Sequence, residues 1–176
     1  LRAQWLRALA LELERLANHT GDLGALAGDV AFLPTASACG KLRGDFLNMT
    51  ASLCGNRFGR GVVRPFADGP ELSSARGAQL QRDLVRALAE VEQALAWLWD
   101  AGSVRSRFED VGVVHQSQAA TIGLVGPAAR ACGLVRDVRY DHPVGWHRFA
   151  QAPVVVWPGG DVFARARVRS LEIQRS

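Results

Sequence analysis

The sequence predicts a mostly α-helical fold: a bundle of long helices with a small irregular, partly extended segment near the C-terminal third. Three observations predict it. Apolar residues recur at three- and four-residue steps through most of residues 1–102. Leu and Ala dominate, with a single Tyr and a single Met, which favours helices over sheets. The Gly-, Arg- and Pro-rich stretch RFGRGVVRPFADGP lies between two periodic segments. A chain of 176 residues fits one domain.

Residues 2 to 31 read as one long helix. Trp5, Leu9, Leu13, Leu16, Thr20, Leu23, Ala27 and Val30 share one face. Gly21, Gly24 and Gly28 share a neighbouring face, and each glycine costs about 1 kcal/mol of helix propensity relative to Ala. Three together predict another backbone packed close. A third stripe is polar: Glu12, Arg15, His19, Asp22 and Asp29. Pro34 is expected to break this helix. A second is predicted from Thr35 to Leu53, with Leu42, Phe46, Met49 and Leu53 on one side and Gly55-Asn56 as the stop. RFGRGVVRPFADGP then reads as an extended segment and loop.

A third helix runs from Glu71 to Trp99, carrying Leu80, Leu84, Ala87, Val91, Leu95 and Leu98, with Asp100, Ala101 and Gly102 ending it. Residues 103–160 read as short helices and extended pieces. VGVVH and APVVVW look extended, QSQAATIG is a short helix closed by Gly123, and Pro127 suits a first helical turn. Residues 161–176 read as the start of a last helix with Asp161 as N-cap. VFARARVRS also alternates with period two, so its pattern alone does not separate helix from strand.

The formal net charge of +4 is carried almost wholly by arginine, Lys41 being the only lysine. No apolar run approaches the ~20 residues that span a bilayer, and no signal-peptide pattern is present. Cys39, Cys54 and Cys132 are far apart and odd in number, which fits a reducing, cytosolic setting better than a disulfide framework. The chain starts at Leu1, inside an apparent helix, and its only methionine is Met49. A piece of a longer polypeptide is therefore expected.

Few motifs carry chemistry. There is no Cys-x-x-Cys pair, and His142 and His147 have no second pair, so no metal site is expected within this chain. No G-x-G-x-x-G or P-loop pattern occurs, and no nucleophile elbow. GNRFGRG carries two arginines and could hold an anion, although a turn is the commoner reason for such a stretch. The polar stripe is the most specific feature. Its plain reading is an i, i+3 / i, i+4 network of Glu12–Arg15, Arg15–His19 and His19–Asp22. Asp29 differs, because it sits among Gly, Ala and Val with no basic residue within one turn. A buried, unpaired acid there would have a raised pKa and suit proton handling.

Four blocks in order resemble a known family: LELERLANHTGDLGALAGDVAF, GNRFGRGVVRP, DVGVVHQSQAATIGLVGPAARACGLVRDVRYDHP and GGDVFARARVRSLEIQRS. They are similar to the central part of the nickel–iron hydrogenase large subunit superfamily. Within it, the likeness is to energy-converting, formate-hydrogenlyase-type hydrogenases and to the large quinone-site subunit of NADH:quinone oxidoreductase (complex I). The resemblance implies a long-helix bundle packed on a small iron–sulfur subunit, peripheral to the inner membrane on the cytoplasmic side, with membrane-arm subunits contacted indirectly. It implies either a nickel–iron centre held by cysteine pairs that would lie outside residues 1–176, or quinone as substrate. Asp29 matches an acid beside the quinone cavity that couples reduction to proton movement. Arg15 and His19 match a mainly structural R-x-x-x-H pair. Arg64-Pro65 match the start of an R-P-G-G turn, which here continues as Phe66-Ala67.

The sequence thus suggests a redox-subunit scaffold that is inert alone, with no cofactor of its own. The alternative is a non-enzymatic helical module that binds protein or nucleic acid through arginines. The arginines are scattered, so no nucleic-acid partner is expected. Surface that the rest of the polypeptide would cover should drive self-association or partner dependence of residues 1–176 alone. Sedimentation velocity checks this, and a monodisperse, stable monomer would contradict it.

Overall fold

The computed structural model describes residues 2–64, 71–150 and 153–176. The elements in order are α1 (Arg2–Asp29), α2 (Leu33–Cys54), α3 (Ser74–Asp100), α4 (Gly102–Phe108), α5 (Gln116–Thr121), α6 (Gly126–Ala131), α7 (Val138–Asp141), a 3-10 turn (Gly145–Arg148) and α8 (Val162–Gln174). No strand occurs among the described residues. The mostly helical fold class expected from periodicity is the one observed.

The core forms where the apolar faces of α1, α2 and α3 meet. Leu13, Leu16, Leu23 and Ala27 of α1, Leu42, Phe46 and Leu53 of α2, and Val91 and Leu98 of α3 are almost fully buried in one cluster. Phe108 of α4 and Ala166 and Ile173 of α8 complete it. Trp5, placed on the same face by periodicity, lies half exposed outside this cluster and stacks on Trp146 of the 3-10 turn, ring centroids 3.4 Å apart. Thr35 Oγ1 donates to the Ala94 carbonyl at 2.8 Å, tying the start of α2 to α3 without exposing a polar group in the core.

Gly24 explains why α1 and α2 pack so closely. A Cβ built there would stand 2.8 Å from the Cys39 Cβ and 3.5 Å from the Ala36 carbonyl oxygen. Gly28 is different, since its Cβ would only touch Ala36 at 4.0 Å.

Several boundaries differ from the sequence reading. α1 stops at Asp29 because Ala31 takes a left-handed conformation (φ 59°), and Pro34 belongs to the first turn of α2 rather than marking the break. α3 begins at Ser74, where the Ser73 side chain caps the Arg76 amide. Gly102 opens α4 instead of closing α3, the chain turning at Ala101. The expected turn at Arg64-Pro65 is described only as far as Arg64. Pro65, with Phe66 and Ala67, lies outside the described residues.

The two stretches read as extended form no sheet. Pro153–Trp157 packs Val155 against α6 and α8, in a small second cluster with Ala131, Ala164 and Val168. It is tied to α6 by one backbone bond, Trp157 N–H to the Arg130 carbonyl at 2.9 Å. The 111–114 stretch meets 160–162 through only two backbone bonds. Gly160 makes that approach possible: it is left-handed (φ 70°), and a Cβ there would collide with the Val114 carbonyl.

α8 resolves the ambiguity between period 3.6 and period two. It is a helix buried on two sides, Ala166 and Ile173 against the main cluster and Ala164 and Val168 against the second. A doubly buried helix rich in Ala shows no single stripe. Asp161 caps it as expected: Oδ1 accepts from Ala164 N–H at 2.7 Å, while Oδ2 accepts from Asp110 N–H at 2.9 Å.

Gly24→Leu should destabilise the protein by about 1–3 kcal/mol through overpacking. Gly28→Ala should be neutral or stabilising by up to ~1 kcal/mol, since the helix gains propensity without a clash. Urea unfolding of the two variants beside the wild type checks both, and equal losses would contradict the α1–α2 contact.

Candidate functional site

The polar stripe of α1 faces a buried cluster of charges whose centre lies far away in sequence. Glu172 of α8 is fully buried. Its Oε2 receives Arg15 Nη2 at 2.8 Å and His19 Nε2 at 2.7 Å, and its Oε1 receives Arg130 Nε at 2.5 Å. Burial alone would raise the Glu172 carboxyl. The hydrogen bonds from His19, Arg130 and Arg15, and the Arg15 charge, overcome that and hold it well below the usual carboxylate range.

The ionised carboxylate fixes the imidazole hydrogen. His19 Nε2 must carry a proton to donate to it. The 3.4 Å approach of Arg15 Nε to the same nitrogen is then a contact between two donors, not a bond. So of the three pairs expected along the stripe, Arg15 and His19 meet through Glu172 rather than with each other.

Glu12–Arg15 closes at 3.5 Å, as the i, i+3 spacing allows. Glu12 also takes Arg139 Nη1 of α7 at 2.8 Å, with His147 of the 3-10 turn 3.9 Å away. Arg139 in turn holds Asp137, Nη2 to Oδ2 at 2.9 Å. Burial would raise the Asp137 carboxyl, but hydrogen bonds and charge from Arg139 outweigh it and leave it lowered. Arg130 further donates to the Arg136 carbonyl at 2.8 Å. One chain of charges therefore joins α1, α6, α7 and α8. Arg15, His19, Arg130 and Arg139 form part of the wall of an open cavity of about 640 Å³, with Glu172 behind them.

Asp22 and Asp29 stand outside this cluster. Asp22 pairs with Arg169 of α8 at 2.8 Å rather than with His19. Asp29 is exposed on the last turn of α1, ten residues or roughly 15 Å along the axis from His19. This chain does not supply the burial that the sequence reading gives Asp29. Arg64 is exposed, and its carbonyl accepts from Arg7 Nη2 at 3.1 Å.

Glu172, Arg130, Arg139 and Asp137 escaped sequence reasoning. One signal was available for Glu172: it continues the four-residue step Ala164, Val168, Glu172, so a lone acid stands on an apolar face. For Arg130, the signal was a single charge inside a helix of small residues.

The sequence matches the family described as respiratory-chain NADH dehydrogenase, 49 kDa subunit, over residues 29–176. It is 32% identical over 180 residues to the D subunit of the NADH-quinone oxidoreductase of Rhizorhabdus wittichii, covering 100% of this chain and 44% of that protein. It is 29% identical over 175 residues to the D 1 subunit of the NADH-quinone oxidoreductase of Chloroherpeton thalassium, covering 99% and 40%. The chain thus spans less than half the length of these relatives. The fold is that of a chain in the membrane-bound sulfane sulfur reductase, an archaeal respiratory membrane complex, with TM-score 0.86, 23% identity, and coverage of 99% of this chain and 47% of the other.

Glu172→Gln leaves Arg130 buried without a counter-charge and Arg15 with Glu12 alone, and should cost about 3–5 kcal/mol in chemical denaturation. Because the folded carboxyl is lowered, its contribution is complete above the ordinary value of 4.5 and drains away as pH falls below it. The stability gap between wild type and variant should therefore narrow on acidification below pH 4.5. A gap that stays constant would contradict the ionised cluster.

Proposed function

The chain belongs to the family of the respiratory-chain NADH dehydrogenase 49 kDa subunit, and from that premise we propose that it forms the helical core of an oxidoreductase large subunit, scaffolding a redox cavity against an iron–sulfur partner. The observation that carries the reading is the match, along the whole chain, to the D subunits of NADH-quinone oxidoreductases. The site supports it in a physical way. A cavity that positions a reacting molecule needs rigid walls, and the Glu172 cluster fastens α1 to α6 and α8 through charge-assisted bonds.

Quinone is the substrate this reading favours. Its reduction to quinol consumes two electrons and two protons. The electrons would arrive from the partner's cluster. Asp29 would pass protons where the exposed end of α1 meets the partner, away from the cavity walled by the Glu172 cluster. Its exposure at the end of α1 leaves it available to a neighbouring surface, and no described residue forms an ion pair with it. Glu12, Arg15, His19 and Asp22 would serve as frame.

The nickel–iron version is the second reading. The residues here do not fit such a centre: Cys39, Cys54 and Cys132 make no pair, and the described residues hold no group of three His, Cys, Asp or Glu placed for a metal. Its ligands would have to come from outside residues 1–176, as two Cys-x-x-Cys pairs. In either version the subunit would sit peripherally on a membrane, meeting membrane-arm subunits only through its partner. No described helix is long and apolar enough to cross a bilayer.

Two measurements on the intact complex decide these points. Metal analysis should find iron without stoichiometric nickel; stoichiometric nickel selects the hydrogenase version. Asp29→Asn should lower quinone reduction and its coupled proton uptake by about 100-fold, the low end for a lost proton-transfer group. Unchanged turnover and proton uptake would remove Asp29 from the mechanism.

A further inference from the structure

The GNRFGRG stretch bears on more than a turn. Gly55, Gly59 and Gly61 are left-handed, and the Asn56 carboxamide oxygen accepts from the Phe58 and Arg60 amides at 2.9 and 3.4 Å. Those amides are thereby occupied, so the turn offers arginines rather than backbone N–H groups. It folds back over α1 and α2 and closes a cavity of about 200 Å³, whose wall includes Arg7, Glu14, Asn18, Arg43, Arg57 and Phe58. Arg43 reaches it by lying across α1 at Gly21, where a Cβ would stand 2.7 Å from the Arg43 Cδ.

The charges around this cavity are unbalanced. In the Glu172 cluster and beside it the arginines meet acids: Arg15, Arg130, Arg139 and Arg169 are ion-paired. Arg43, Arg57, Arg60 and Arg64 form no ion pair with any described residue. Glu14 is the only acid in the wall, and Asp68 lies outside the described residues. Around the rim Leu11, Phe58 and Val63 are 44, 61 and 76% exposed. Arginine next to exposed aromatic and aliphatic surface is the composition of a protein interface centre. The cavity is below the usual range for a nucleotide or other whole ligand and of a size for one carboxylate-bearing side chain, which a guanidinium holds bidentately.

We propose that this surface docks an acidic, partly apolar segment of a neighbouring protein in the same complex, with one carboxylate entering between Arg43 and Arg57 and apolar residues covering Phe58 and Val63. The proposal rests on the reading that the chain works inside a multi-subunit assembly, and it goes beyond that reading by assigning the surface and the chemistry it meets.

Arg57→Lys in the intact complex keeps the charge and introduces a primary amine. A water-soluble carbodiimide activates an adjacent carboxylate, the amine displaces the activated group as a urea, and an amide cross-link remains for peptide mass spectrometry. The expected product joins position 57 to an Asp or Glu of another subunit. Arg43→Glu and Arg57→Glu should each lower retention of that subunit by at least ~10-fold during a salt wash, the equivalent of one lost charge pair. Reversing the mapped partner acid should restore it. Should Arg57 variants fail to assemble, Arg60→Lys supplies the cross-linking amine. A cross-link confined to Glu14 or Asp68, or retention unchanged in the glutamate variants, overturns the proposal. So does protection of the amine by inorganic phosphate beyond chloride at equal ionic strength, which marks a free-oxyanion site. Loss of binding to duplex DNA or anionic vesicles while retention of the neighbouring subunit holds also overturns it. Metal content and turnover are read on the same preparations, so a failed docking surface in an active complex is distinguishable from a wrong family role.

Discussion

A single carboxylate with no access to water, Glu172, sets the terms for much of this molecule. An ion of that size costs several kcal/mol to bury unless partners replace its hydration. Three donors do so, from α1 and α6. Two of these donors are themselves held: Arg15 by Glu12, and Arg130 by the Arg136 carbonyl. The requirement propagates outward through Glu12 to Arg139 and Asp137. Helices packed by apolar contact alone can slide by a turn at modest cost, whereas here a slide would strand a buried charge. The cluster therefore fixes register more than it adds net stability.

How far the fold could be read from the sequence depended on how many sides of each helix are buried. α1, α2 and α3 each turn one main apolar stripe to a common core, and Leu13, Phe46 and Val91 fell where periodicity put them. α8 is buried on two sides, so its pattern fits both periods and only the Asp161 cap argued for helix. The apolar run at Pro153–Trp157 imitated a strand because both buried coil and buried strand select Val; a strand needs a neighbour, and the run has none among the described residues. The polar stripe was visible, but its partners were not. Local spacing suggested His19–Asp22, whereas His19 meets an acid 153 residues away and Asp22 meets Arg169. Long-range charge pairing leaves no periodic trace in a single sequence.

The glycines of α1 join these two levels. Gly24 lets α2 approach until Cys39 and Ala36 are in contact range, and Gly21 leaves the groove through which Arg43 crosses α1. A helix with bulky residues there would hold α2 further off. The turn after α2 would then be displaced with it, and the arginines around Phe58 would no longer converge on one cavity. The helix propensity given up at these positions, about 1 kcal/mol each, is thus offset by a close contact on one side and an ordered arginine surface on the other.

The two kinds of acid along α1 argue for a division of labour. Glu12 and, through Arg15 and His19, Glu172 are locked by fixed cations. The Glu172 carboxylate, held well below its ordinary range, would give up its hydrogen bonds on accepting a proton, and the protein resists that by the same energy that binds it. Such a group serves as a frame that holds helices together. Asp29 is the opposite case. It is exposed, ends the same helix, and forms no ion pair with the described residues. In the proposed role Asp29 carries the proton transfer of this helix, while the buried cluster ties the middle of α1 to α6 and α8.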